Sequence, residues 1–237
     1  VRVFSSLQAA SKALAQELAA LARQAVTRQG RWVVALSGGE TPRGLYETLA
    51  GLPPGAVPWA QTHILWADER CVPREDPASN YRLVRETLLE KVAVPAAQVH
   101  PLVSDPADPE GSALAAEALL SRLYPGGPPR LDAVVLGLGE DGHTASLFPG
   151  SPVLQETRRL VAVVNHAPKP PPCRLTLTLP ALQGAAEVHF LVSGAGKSEA
   201  LRQALNPDSD LTVCPAVAVR PREGRLVWWV DEAAWGE

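Results

Sequence analysis

LDAVVLGLGEDGHTASLFPG, residues 131–150, runs from an apolar segment into a glycine-rich loop, and its reading decides the fold. Gly137, Gly139 and Gly142 fit the dinucleotide fingerprint G-x-G-x-x-G, and LDAVV before them reads as a buried strand. A dinucleotide-binding helix must continue beyond the third glycine so that its N-terminus faces a pyrophosphate. Here Pro149 and Gly150 end the apolar pattern within two turns. Glu156 falls roughly where a ribose-binding acid would stand, yet no strand separates it from the loop. The glycines are therefore read as a tight turn that lifts Asp141 and His143 above the end of a strand.

The same strand-loop-helix order recurs on either side. After a short VRVF strand, Leu7, Ala10, Leu14, Leu18 and Leu21 recur at helical spacing, which predicts a helix over about 6–28 ended by Gly30. WVVAL (32–36) stops at SGGETP, after which Thr41 is expected to cap a helix starting at Pro42. HILWA (63–67) and EVHFLVSGAGK (187–197) repeat the pattern, with helical stretches near 80–91, 110–123 and 197–205. Strands alternating with helices imply a single α/β domain over 1–237, a mostly parallel Rossmann-like sheet with helices on both faces. In such sheets ligands gather outside the carboxyl ends of the strands. SGGETP, DER (68–70), GEDGHT (139–144) and SGAGK (193–197) are all read as loops at such ends. PKPPPC (168–173) is a stiff proline run leading into RLTLTLP, whose alternation reads as a further strand.

Composition narrows the partners. A net charge of −3 gives no general attraction for nucleic acid or an anionic membrane, so an anion must be bound locally. The opening 26 residues carry charges spread through an amphipathic pattern, and neither a signal peptide nor a bilayer span is expected. Cys71, Cys173 and Cys214 lie far apart in sequence with no C-x-x-C pair, which argues against a disulfide framework or a structural zinc site and fits the cytoplasm.

Four loops carry candidate chemistry. In SGGETP, Ser37, Gly38 and Gly39 form either a phosphate cradle ahead of a helix N-terminus or a plain turn; the hydroxyl and the fixed helix start favour phosphate. SGAGKS (193–198) mimics a Walker A loop but has Leu191 where its first glycine belongs, so no nucleotide triphosphatase is expected. Lys197 still stands where an ammonium can meet a phosphate, and the chain has only four lysines. In DER, Arg70 can grip phosphate and Asp68 can orient a neighbour, although a merely polar loop reads equally well. His63 and His189 fall in apolar strands and His100 and His166 in connectors, which leaves His143 as the histidine on a glycine loop. With an ordinary pKa of about 6.5 it can take a proton and return it. No metal-binding spacing such as H-E-x-x-H is present, and no G-x-S-x-G elbow marks a nucleophilic serine.

Taken in order, LSGGETP, DERCVP…SNY…LL, LGLGEDGHTASLFPG, PKPPPCRLTLTLP and SGAGKSEAL resemble the 6-phosphogluconolactonase family, in the wider group that includes glucosamine-6-phosphate deaminase and ribose-5-phosphate isomerase. The resemblance implies hydrolysis of 6-phospho-D-glucono-1,5-lactone to 6-phosphogluconate, in the oxidative pentose phosphate pathway, without metal or organic cofactor. It implies a water-activating role for His143 and phosphate binding by Ser37, Gly38, Gly39, Arg70 and Lys197, with Arg174 as a further cation. Asp68 or Asp141 would orient the second nitrogen of His143, and Asp68 is preferred because it arrives from another strand end. The partner is then a small sugar phosphate lactone, with neither nucleic acid nor membrane, and the chain is expected to act as a monomer.

Three other readings compete. Glucosamine-6-phosphate deaminases carry a further glutamate shortly after the shared D-G-H, whereas Phe148 stands five places after His143 here and no carboxylate appears before Glu156. A sugar-phosphate-sensing effector module would ordinarily bring a basic helix-turn-helix segment, which this sequence lacks. A dinucleotide oxidoreductase comes last.

Overall fold

The computed structural model describes residues 1–236. Nine strands, Arg2–Phe4 (β1), Trp32–Leu36 (β2), Thr62–Trp66 (β3), Asp68–Arg70 (β4), Ala133–Leu136 (β5), Val161–Val164 (β6), Arg174–Leu177 (β7), Glu187–Val192 (β8) and Arg225–Asp231 (β9), form two sheets. The larger is fully parallel in the order β1-β9-β8-β5-β2-β3. Every side chain of β2 and of β5 is buried. Because successive side chains point to opposite faces of a sheet, both faces are covered at its centre, as parallel sheets require.

The helices are Leu7–Gln29 (α1), Arg43–Ala50 (α2), Asn80–Thr87 (α3), Pro109–Leu123 (α4), Leu179–Gln183 (α5), Ser198–Leu205 (α6) and Glu232–Trp235 (α7). In α1 the predicted positions Ala10, Leu14 and Leu18 are 0% exposed, as is Ala22, whereas Leu7 and Leu21 are only partly buried. The Ser6 hydroxyl accepts from Ala9 N–H at its start, and Gly30 closes it in the left-handed conformation. Among the described residues no helix is long and apolar enough to cross a membrane.

Several expectations need correction. DER is a strand, not a loop. After the single bend residue Ala67 the chain leaves the large sheet and enters a second, antiparallel one in the order β4-β7-β6. RLTLTLP supplies β7 to that small sheet and then turns at Thr178 into α5. Helix α2 begins at Arg43 with Pro42 as its cap residue and no side-chain capping bond, so Thr41 does not cap it. The carbonyl of Pro42 instead accepts the first helical bond, from Tyr46 N–H at 3.1 Å. The stretch expected as helix over 80–91 is α3 followed by a separate 3-10 turn over 89–91. Strands β6 and β9 are additional to those expected.

Candidate active site

Strand order assembles the site. β2 lies between β3 and β5, and β5 lies between β2 and β8. The segments that follow these four strands, SGGETP, DER, GEDGHT and SGAGK, therefore open side by side at one edge of the sheet. They surround a cleft of ≈ 650 Å³, open to solvent, whose wall includes Ser37, Gly38, Gly39, Asp68, Arg70, His143, Arg174 and Lys197. Asp141 does not line the cleft and stands against the imidazole of His143. Thr41, expected as a helix cap, lines the wall instead, together with Asn80, Thr144 and Ala145, none of which had been singled out as a site residue.

Antiparallel pairing places the arginines. Arg70 on β4 is directly opposite Arg174 on β7, and both line the cleft. Arg174 is only 4% exposed, and among the described residues neither guanidinium lies within ion-pair distance of a carboxylate. Arg174 donates to the carbonyls of Lys169 (2.9 Å), Pro171 (3.1 Å) and Pro170 (3.3 Å), which ties the proline loop to the strand. Burial, and next the charge of Arg70, push its pKa below the ordinary value. The guanidinium of Arg70 donates to the Ala78 carbonyl, and its Nε is buried without a partner. Like charges facing each other across a strand pair are unfavourable, so this end of the cleft is built for an anion. Lys197, 24% exposed, stands on the same wall, 4.0 Å from Glu140.

Asp68 has a different set of partners from the one expected. Its Oδ2 accepts from the Ser146 hydroxyl at 2.7 Å and its Oδ1 from the Asn80 amide at 3.2 Å. Asn80 also donates to the Asp68 carbonyl at 2.9 Å, and its Oδ1 lies 1.8 Å from where a Cβ on Gly38 would sit. Only glycine fits at that contact. Glu69, on the opposite face of β4, is 3% exposed and accepts the backbone N–H groups of Arg70 (2.8 Å), Asn80 (2.7 Å) and Tyr81 (2.7 Å). Burial raises its pKa and these three bonds only partly offset that. A carboxylate at the N-terminus of α3 thus fixes the helix that presents Asn80.

At the other end, the turn after β5 holds the imidazole. Gly139 N–H donates to the His143 carbonyl at 2.7 Å, and the Thr144 hydroxyl donates to the Gly137 carbonyl at 2.8 Å. No helix follows; Thr144 bridges to Leu147, and Ala145 takes a φ of 47°. His143 Nδ1 hydrogen-bonds Asp141 Oδ1, and the ring stacks on Phe148 with centroids 4.7 Å apart. The carboxylate, not Asp68, is therefore the partner of the ring: Asp68 is already engaged by Ser146 and Asn80. Burial lowers the His143 pKa below its ordinary value, and Asp141 only partly counters it. Burial alone would raise the Asp141 carboxyl, but its bond to His143 and the charges of His143 and Lys169 outweigh that and hold it below the usual range. At neutral pH the ring is then uncharged, with its proton on Nδ1 and Nε2 free to accept one.

Comparison with known proteins decides the kinship. The family model described as glucosamine-6-phosphate isomerases/6-phosphogluconolactonase matches residues 5–228. The chain belongs to this family. Within it, the 6-phosphogluconolactonase of Synechocystis sp. is 42% identical over 214 residues, 89% of this chain and 86% of that protein. The rat 6-phosphogluconolactonase is 41% identical over 239 residues, 99% and 91% of the two chains. The solved structure of 6-phosphogluconolactonase from Trypanosoma brucei superposes with a TM-score of 0.85 at 29% identity, covering 99% of this chain and 97% of that one. The mostly parallel sheet is thus the glucosamine-6-phosphate isomerase/6-phosphogluconolactonase fold. In this member of the family the aromatic ring of Phe148 packs against the histidine at the position five places on.

Proposed function

We propose that the chain hydrolyses 6-phospho-D-glucono-1,5-lactone to 6-phospho-D-gluconate, the lactone-opening step of the oxidative pentose phosphate pathway. The observation that carries this reading is one cleft with an unpaired, cross-strand arginine pair at one end and an uncharged, carboxylate-held imidazole at the other. The names of the relatives over nearly the whole chain support the same substrate.

The substrate phosphate sits against Arg70 and Lys197 at the Ser37-Gly38-Gly39 turn, with Arg174 beside Arg70 as a further cation. Its anchoring holds the lactone ring over the 137–145 turn and makes attack on the carbonyl effectively unimolecular. His143 Nε2 takes a proton from water as the water oxygen bonds to the carbonyl carbon. Asp141 stabilises the imidazolium that forms. Backbone N–H groups of the glycine-rich turns are the natural donors to the tetrahedral oxyanion. As the intermediate collapses, the ring C–O bond breaks and His143 returns its proton to the leaving oxygen. A general base contributes about 10² to 10⁴ in rate, which is adequate for an already labile ester. No enzyme nucleophile takes part, and Ser146 is occupied with Asp68.

A monomer and a cytoplasmic setting belong to the same proposal. The test is a coupled assay on freshly made lactone, corrected for spontaneous opening, with ammonia release from glucosamine 6-phosphate measured in parallel. Lactone hydrolysis that falls by at least about 10²-fold in His143→Ala, with binding of 6-phosphogluconate retained, is expected. Near-normal turnover in that variant removes the histidine from the base role; ammonia release without lactonase activity overturns the substrate.

A further inference from the structure

Cys71 and Cys173, separated in sequence by a hundred residues, are neighbours in space. They directly follow and precede the paired arginines: Arg70 is opposite Arg174 in the antiparallel β4-β7 register, so Cys71 comes opposite Cys173. Cys71 N–H donates to the Cys173 carbonyl at 3.0 Å, one of the two bonds that a hydrogen-bonded antiparallel pair exchanges. Such pairs have Cα atoms about 5.5 Å apart, the commonest spacing in disulfides. The register puts both thiols on the same face of the small sheet, the face Glu69 takes and the arginines do not. Both residues are partly exposed, whereas Cys214 is fully buried.

We propose that Cys71 and Cys173 form a dithiol modification site that a small disulfide of the glutathione type converts to an intramolecular disulfide. The Cys173 sulfur attacks one sulfur of the small disulfide, breaking its S–S bond and releasing one thiol. The Cys71 sulfur, losing its proton, then attacks the mixed disulfide at Cys173. The Cys71–Cys173 bond forms and a second thiol leaves. Two electrons and two protons pass from the protein to the oxidant, which ends as two thiols. Burial, and then the neighbouring Cys173, keep the Cys71 thiol protonated more firmly than usual, which leaves the first attack to Cys173. In a reducing compartment the pair stays open and closes only when the thiol pool is oxidised. The bond would clamp β4 to β7 behind the arginine pair without entering the cleft.

The test incubates the folded full chain with oxidised glutathione and then traps remaining thiols with an alkylating reagent. Intact mass is expected to fall by two hydrogens, with Cys71 and Cys173 recovered in one cross-linked peptide pair. Dithiothreitol should reverse the change, and Cys214 should be alkylated only after denaturation. Cys173→Ser should show no cross-link while keeping the native circular dichroism. Persistent glutathione adducts on both cysteines, a link to Cys214 or to a second chain, or no reaction when folded although the denatured chain cross-links, each overturn the proposal.

Discussion

A Cβ on Gly139 would stand 1.9 Å from His143 Nδ1 and 2.4 Å from Asp141 Oδ1, so the imidazole and its carboxylate rest directly on this glycine. Gly139→Ala should therefore push the pair out of place. Overpacking of this kind costs about 1–3 kcal/mol of stability, and a small displacement of a reacting group costs on the order of 10²-fold in rate. Steady-state kinetics on protein shown by circular dichroism to be folded should reveal a collapse in kcat. Wild-type kcat would mean that the ring position is unimportant.

The pH profile follows from the shift on His143. Its pKa is lowered, and the neutral ring is the competent base, so activity is present above that pKa and is lost as pH falls through it. The acid limb of kcat/KM should lie below about 6.5, the ordinary histidine value. Asp141 favours the imidazolium. Asp141→Asn should move the limb to still lower pH while reducing kcat by at least about tenfold. Lys169, whose Nζ is 3.5 Å from Asp141, opposes the imidazolium, and Lys169→Ala should move the limb upward. Shifts in the reverse directions would break the assignment.

Arg70→Ala should weaken substrate capture far more than turnover. Losing a charged hydrogen-bonding partner of a phosphate is worth about 2–3 kcal/mol, or about 10²-fold in KM. Arg70→Lys should restore little, since an ammonium cannot reproduce the planar fork. Inhibition constants for 6-phosphogluconate would check this, and an unchanged constant would take Arg70 out of the phosphate site.

Ser146→Ala leaves Asp68 Oδ2 without its 2.7 Å donor in a buried setting. A destabilisation of about 1–3 kcal/mol is expected from denaturant midpoints. Hydrolysis should persist, and organophosphates should not label the wild-type protein. Stoichiometric labelling of Ser146 would replace the general-base mechanism with a covalent one.

The alternation of strands and helices was legible because each element carries its own period, and the cleft followed because strand-end loops share one edge. Where β7 pairs was not legible: RLTL has the same local pattern whichever sheet it joins, and only the bend at Ala67 creates the small sheet. Asn80 escaped notice because it stands directly after a capping serine at the start of an amphipathic helix, where a polar residue is unremarked. The partner of Asp68 depends on a contact across 78 residues, which no local pattern contains. The proximity of Cys71 to Cys173 was hidden for the same reason. The choice between Asp141 and Asp68 as partner of His143 was not legible, because it turns on Asp68 being engaged by Ser146 and Asn80.

Asp68 and Arg70 turn toward the cleft and Glu69 away from it because a strand alternates. The stretch from Trp66 to Arg70 therefore behaves as a ruler with a fixed number of marks. Gaining or losing one residue there would deliver the helix-anchoring acid to the substrate and drive the guanidinium beneath α3. Evolution or an engineer can exchange letters along it with graded effects, whereas any change in its length abolishes both tasks at once.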